Sequence, residues 1–199
     1  MKKLSLILIS LFFLINSTFA NTYSSDPKMF VSELVNDAIS KLSDKNLTEE
    51  EKSTFIEGMA IENVDINALG LYTLGELRKS TDKNTLEKYQ ETFKKYFLKS
   101  LTSRLTDYSS NKFEVINAEK KNSNYTVVKS KIIANNNQPE IKIDWRIYTK
   151  NPDKPLIRDL IVEGLSLART QKEEFSSILN SNNNDINILI SKLEEFINS

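Results

Sequence analysis

The sequence predicts an α+β fold: four helices, then a four-stranded antiparallel meander, then two closing helices. Three observations predict it. Apolar residues recur at steps of three and four through the first half of the chain. From Phe113 they switch to alternation with polar residues, and the strand-like segments are joined by short turn-rich connections. After Leu167 helical spacing returns.

Each element has its own signal. Asp26 is a good N-cap and Pro27 suits a first helical position, with Phe30, Leu34, Val35, Ala38, Ile39 and Leu42 following at helical spacing. Thr48 and Glu51 have the form of a capping box, opening a second helix through about residue 59. Asp65 is placed to cap a third that carries Ile66, Leu69, Leu74 and Leu77. The longest element is expected over roughly 82–108, where Leu86, Tyr89, Phe93, Tyr96, Phe97, Leu101, Leu105 and Tyr108 make one apolar stripe.

Strands are expected over 113–119, 125–134, 140–149 and 156–167. The third is the clearest: Ile141, Ile143, Trp145 and Ile147 point one way, Lys142, Asp144, Arg146 and Tyr148 the other. The connections at 121–124, 135–139 and 151–155 are rich in Asn and Pro, so consecutive strands should pair antiparallel. Gly164 reads as a bend or bulge in the last strand that would aim Leu165 inward. Helices over about 170–179 and 186–197 complete the chain, and no internal repeat or domain boundary interrupts it.

The first twenty residues have the pattern of a signal peptide. Lys2 and Lys3 precede an apolar run from Leu4 to Ile15, and Thr18-Phe19-Ala20 has the small-x-small form of a cleavage site. That run is shorter than the roughly 20 residues a membrane-spanning helix needs. The expectation is an exported, non-spanning single domain over 21–199, without a lipid anchor, since Asn21 and not Cys follows the cut.

Composition excludes much chemistry. Lys plus Arg and Asp plus Glu both number 27, so the basic excess that nucleic-acid binding requires is missing. The chain has no histidine and no cysteine, which removes Ser-His-Asp triads, thiol nucleophiles, disulfides and His- or Cys-based metal sites. Neither G-x-G-x-x-G nor G-x-x-x-x-G-K-[ST] occurs. Asp159 and Glu163, on one extended strand, would stand about 13 Å apart. A glycosidase pair needs roughly 5 to 9.5 Å. No catalytic residue, metal or cofactor is expected.

Specific segments resemble the MlaC family of exported phospholipid-binding proteins, also called toluene-tolerance auxiliary proteins. Asp159-Leu160-Ile161-Val162-Glu163-Gly164-Leu165-Ser166 is similar to that family's D-[VMI]-x-[VA]-E-G-[VIL]-S segment. Tyr89, Phe93, Tyr96 and Phe97 resemble its aromatic helix, Asn63-Val64-Asp65-Ile66 with Leu74-Gly75 its V-D…LG stretch, and Phe175, Ile178, Leu179 and Leu189 to Leu193 its closing helices. The resemblance implies a soluble periplasmic carrier of phospholipid. It would work between an outer-membrane lipoprotein–porin complex and an inner-membrane ABC transporter with an MCE-domain subunit, and hold the lipid tails in an apolar cavity between sheet and helices.

Periodicity alone assigns the stripe of the long helix and the apolar strand faces to an ordinary dry core. With the resemblance, Phe93, Phe97, Leu101, Ile141, Ile143, Trp145, Ile147, Leu160, Val162, Leu165 and Leu167 become candidate lipid contacts. Arg78, Lys94, Arg146 and Arg158 become candidate docking residues. The rival expectation is a secreted, non-catalytic interaction or structural module whose core is filled by its own side chains.

Overall fold

The computed structural model describes residues 23–105, 112–134 and 139–199. The expected signal segment 1–20, the Leu105 side chain, Tyr108 and most of the 135–139 turn lie outside the described residues.

The helices begin where capping chemistry places them. Helix α1 spans Pro27–Ser43, and Asp26 accepts the Met29 N–H at 2.9 Å. Helix α2, Glu49–Asn63, opens on the full capping box: Glu51 N–H donates to Thr48 Oγ1, and Thr48 N–H to the Glu51 carboxylate. Asp65 caps α3, Ile66–Thr73, through the Ala68 N–H. This helix ends earlier than the spacing of Leu74 and Leu77 suggests, and a 3₁₀ turn at Gly75–Lys79 follows it. Helix α4 runs Lys83–Leu105.

Strands β1 Phe113–Lys120, β2 Tyr125–Ile132, β3 Ile141–Tyr148, β4 Leu156–Val162 and β5 Leu165–Ser166 form one sheet in chain order, every neighbouring pair antiparallel. Helices α5 Leu167–Asn180 and α6 Ile186–Asn198 follow. Asn183 and Asn184 in their connection take left-handed backbone at φ 54° and 58°. Asn tolerates that region better than most residues, which gives those two positions a conformational reason.

The structure corrects two expectations at one place. The segment 156–167 is not one strand but two, so the sheet has five strands, and Gly164 marks a two-residue hairpin turn with Glu163. Reversing the chain there pairs Leu165 with Val162 on the same sheet face and leaves it 60% exposed at the end of the sheet, not buried as a simple inward bend would. The residues after the turn start α5 three positions earlier than expected.

Packing divides the molecule into two apolar clusters. In the helical one, Tyr89, Phe93 and Leu98 of α4 meet Phe175 and Leu179 of α5 and Leu189, Ile190 and Leu193 of α6. The Phe93 ring lies 5.9 to 6.3 Å, centroid to centroid, from those of Tyr89, Tyr96, Phe97 and Phe175, within the range of favourable aromatic pairs. Gly70 of α3 rests on the same ring. A Cβ there would come within 2.9 Å of Phe93 Cδ1, so only glycine allows this approach.

The second cluster joins α1 to the inner face of the sheet: Phe30, Val31 and Leu34 against Val128, Trp145, Ile147 and Ile157. Val64, between α2 and α3, packs on both clusters. It forms a parallel bridge with Ile157 while the Asp65 N–H donates to the Ile157 carbonyl at 2.9 Å. The α2–α3 joint thereby covers the start of β4, which would otherwise be an open edge.

Candidate functional site

The inner sheet face changes character along its length. At one end Ile147 is fully enclosed and Trp145 is 8% exposed. The indole N–H donates to Ser130 Oγ at 2.8 Å, and Ser130 donates in turn to the Ile143 carbonyl at 2.9 Å. The indole N–H and the Ser130 hydroxyl are therefore both satisfied, as burial requires. Sequence reading passed over Ser130, because an isolated Ser in a strand carries no signal until its cross-strand partner is known.

Two and four residues back along β3, Ile143 and Ile141 face the same way but are only half-buried. Their cross-strand neighbours continue the surface: Ile143 pairs with Ser130 and Val162, Ile141 with Ile132, and Val162 with Leu165. Val162 and Leu160 are half-buried, and Leu167, opening α5, is 41% exposed. The sheet thus ends in an apolar mouth made by β2, β3, β4 and the β4–β5 turn.

Helix α4 repeats the gradient. Phe93 is enclosed by rings, whereas Phe97 and Leu101, one and two turns further on, are half-buried against the helical cluster. The candidate lipid contacts therefore divide. Trp145, Ile147, Ile143 and Leu160 belong to the sheet cluster; Phe93, Phe97 and Leu101 belong to the helical one. Half-buried Met59 and Phe113 also pack on the sheet cluster. Neither was a candidate in the sequence, where Met59 marked only the expected end of α2, which in fact continues to Asn63, and Phe113 only the start of a strand.

Of the four candidate docking residues, two are half-buried and committed internally. Arg158 binds Asp65 through Nε at 2.8 Å and Nη2 at 2.7 Å, reaches the Tyr125 hydroxyl at 2.9 Å, and stacks 3.5 Å from the centre of the Tyr148 ring. Burial alone would lower its pKa, but Tyr125 and Asp65 outweigh that and hold it above its ordinary value. It is a tie between β4 and the start of α3. Arg78, half-buried, donates to the Gly75 carbonyl and steadies the 3₁₀ turn. Lys94 is exposed on α4. Arg146 is exposed too, with Nη1 3.3 Å from the Asp159 carboxylate.

Asp159 itself is buried. It accepts the Ser166 hydroxyl at 2.7 Å and the Ala168 N–H at 3.0 Å, and Ser166 in turn caps α5 by accepting the Arg169 N–H at 3.1 Å. The acidic residue of the motif thus anchors α5 to the sheet. Glu163 lies at the turn and not on a shared strand face.

A groove of about 600 Å³ lies elsewhere, between Tyr72 and the outer face of α5, lined by Arg169, Lys172, Glu173 and Ser176 among others. Its lining is mostly polar and charged, which suits water better than acyl chains, so the apolar mouth is the stronger candidate. Among the described residues no group of carboxylates could hold a metal ion, and no helix is long and apolar enough to cross a membrane.

Comparison with known proteins agrees with this architecture. The family model for MlaC protein matches residues 32–195. The fold is similar to that of a phospholipid-binding protein from Ralstonia solanacearum, solved in complex with a phospholipid. The TM-score is 0.69 at 18% identity, over 84% of this chain and 94% of that one. No curated protein matches the sequence.

Proposed function

This chain belongs to the MlaC family, and from that premise we propose that it is a periplasmic phospholipid carrier, exported by a signal peptide at 1–20 and folded as one domain over 21–199. The lipid is cargo, and the protein performs no chemistry on it. Its tails lie between the two apolar clusters, entering at the mouth formed by Ile141, Ile143, Leu160, Val162, Leu165 and Leu167, with Phe97 and Leu101 of α4 on the helical side. Phe93, Trp145 and Ile147 form the floor behind them.

One observation carries this reading: apolar surface on the inner face of the sheet goes from fully enclosed to half-exposed within a single strand. A face that only had to seal a core would be covered along its whole length. Spare apolar area beside an enclosed core is what acyl chains need. Two sixteen-carbon tails hold about 30 methylenes, and at roughly 0.8 kcal/mol each their exposure to water costs on the order of 24 kcal/mol. A carrier must cover most of that surface and then give it up.

The same magnitude argues that lipid is handed over at protein partners and not released into water. The partners in this reading are an outer-membrane lipoprotein–porin complex and the MCE-domain subunit of an inner-membrane ABC transporter. Lys94 and Arg146 are the two exposed candidates for docking, Arg146 while ion-paired with Asp159.

Native mass spectrometry of protein purified without detergent, with organic extraction of the same sample, tests the proposal. The expected result is about one phospholipid per chain. A chain that is empty and takes up no lipid from vesicles would instead be the dry-core module.

A further inference from the structure

The β4–β5 turn departs from what its geometry favours. A two-residue hairpin loop with both central residues left-handed prefers Asn, Asp or Gly at the first position. Here the pair is Glu163-Gly164, at φ 49° and 82°, closed by Val162 and Leu165. Glycine reaches that conformation freely, whereas glutamate must be held there.

What holds it is Lys142 of β3. The Glu163 N–H donates to the Lys142 carbonyl at 3.0 Å. In a regular antiparallel pair the Lys142 N–H would return to the Glu163 carbonyl. Instead it donates to the Glu163 carboxylate. The side chain stands in for the backbone and closes the last rung between β3 and β4. Asn or Asp, favoured by the turn, is one methylene shorter.

The position of this rung gives it a consequence. Lys142 lies between Ile141 and Ile143, and Glu163 follows Val162, so the bond ties the strands together at the apolar mouth. The other side of the hairpin is fixed independently, through Asp159 to Ser166 and Ala168. That anchor is buried and multiply bonded. The Glu163 rung is exposed to water, which competes for it.

We infer that Glu163 is a positioning residue whose carboxylate latches the β4–β5 hairpin to β3 and so sets how fast a bound lipid leaves through the mouth. The inference rests on the carrier reading. Opening would swing Val162 and Leu165 together away from Ile143 of β3, with Asp159 holding β5 and α5 to β4, widening the exit without disturbing the enclosed parts of either cluster.

The test loads the full chain with phosphatidylethanolamine bearing a dansyl-labelled tail and follows its loss to unlabelled phosphatidylethanolamine–phosphatidylglycerol vesicles. Glu163→Ala is expected to release lipid about tenfold faster, the scale of one lost hydrogen bond to a charged group. Its lipid content at equilibrium should be unchanged, and the Lys142 amide should exchange hydrogen faster. Glu163→Gln, which keeps an acceptor oxygen, should restore the wild-type rate. If Glu163→Ala does not fold, Glu163→Asp reads the same quantity, and faster release supports the latch. Equal rates in wild type and variant, with lipid in both, overturn the latch and leave the carrier standing. A wild-type chain that holds no lipid overturns both.

Discussion

The two ends of the inner sheet face are built from the same residue types and behave differently. Around Trp145 and Ile147, α1 covers every apolar group, and the indole and Ser130 satisfy each other. Around Ile141 and Ile143, equally apolar side chains on the same strand face remain half-open, beside an exposed Leu165. Helix α4 makes the same contrast between Phe93 and Leu101. The difference teaches that apolar patterning identifies a face, while its covering decides whether the face stabilises the fold or is left for a ligand.

Paired truncations break or sharpen this contrast. The largest expected effect is at the enclosed rings. Phe93→Ala should lower stability by about 3–5 kcal/mol in denaturant unfolding, because tightly packed surroundings cannot collapse into the space. Leu101→Ala, half-open on the same helix, should cost roughly 1 kcal/mol and show its effect in lipid retention. A similar large loss from Leu101→Ala would mean that both ends are dry core.

Next comes the strand pair. Ile147→Ala is expected to cost about 2–5 kcal/mol with lipid content per folded chain unchanged. Ile143→Ser should cost roughly 1–2 kcal/mol yet remove most of the lipid recovered on extraction. Equal lipid loss from both would erase the distinction between sealed and open ends.

The smallest effect concerns the helical cluster alone. Burial raises the pKa of the Tyr89 phenol, only partly offset by its hydrogen bond with Thr73. The unfolded chain ionises this group near pH 10, whereas the folded chain resists. The stability contributed is therefore fully present below about pH 10 and is lost as pH rises beyond it. Tyr89→Phe should cost about 1 kcal/mol near neutral pH and flatten the alkaline decline in melting temperature, which thermal scans across pH would read.

Much of this architecture was legible in the sequence because local chemistry sets it. Asp26, Thr48 with Glu51, and Asp65 cap the helices they were expected to cap, and the alternation of β3 has the predicted inside and outside. Other features were not legible because they depend on partners distant in sequence. Glu163 in a left-handed turn contradicts turn propensity until the Lys142 amide is known to meet its carboxylate. That turn in turn leaves Leu165 exposed at the end of the sheet, opposite Val162. Arg158 looked available because the alternation gives no hint of Asp65, Tyr125 and Tyr148 converging on it. The division into two clusters was equally hidden, since a helical stripe does not state which neighbour it will meet.

Photo-crosslinking puts the central claim to its most direct test. Phosphatidylethanolamine carrying a diazirine near the end of one acyl chain would be loaded into the full chain, irradiated, and its adducts mapped by peptide mass spectrometry. The account predicts adducts on the open half of β3 at Ile141 and Ile143, on Leu160 and Val162 of β4, and on Phe97 and Leu101 of α4. Adducts confined to the outer groove of α5 near Lys172, or none above the level given by a denatured control, would contradict it.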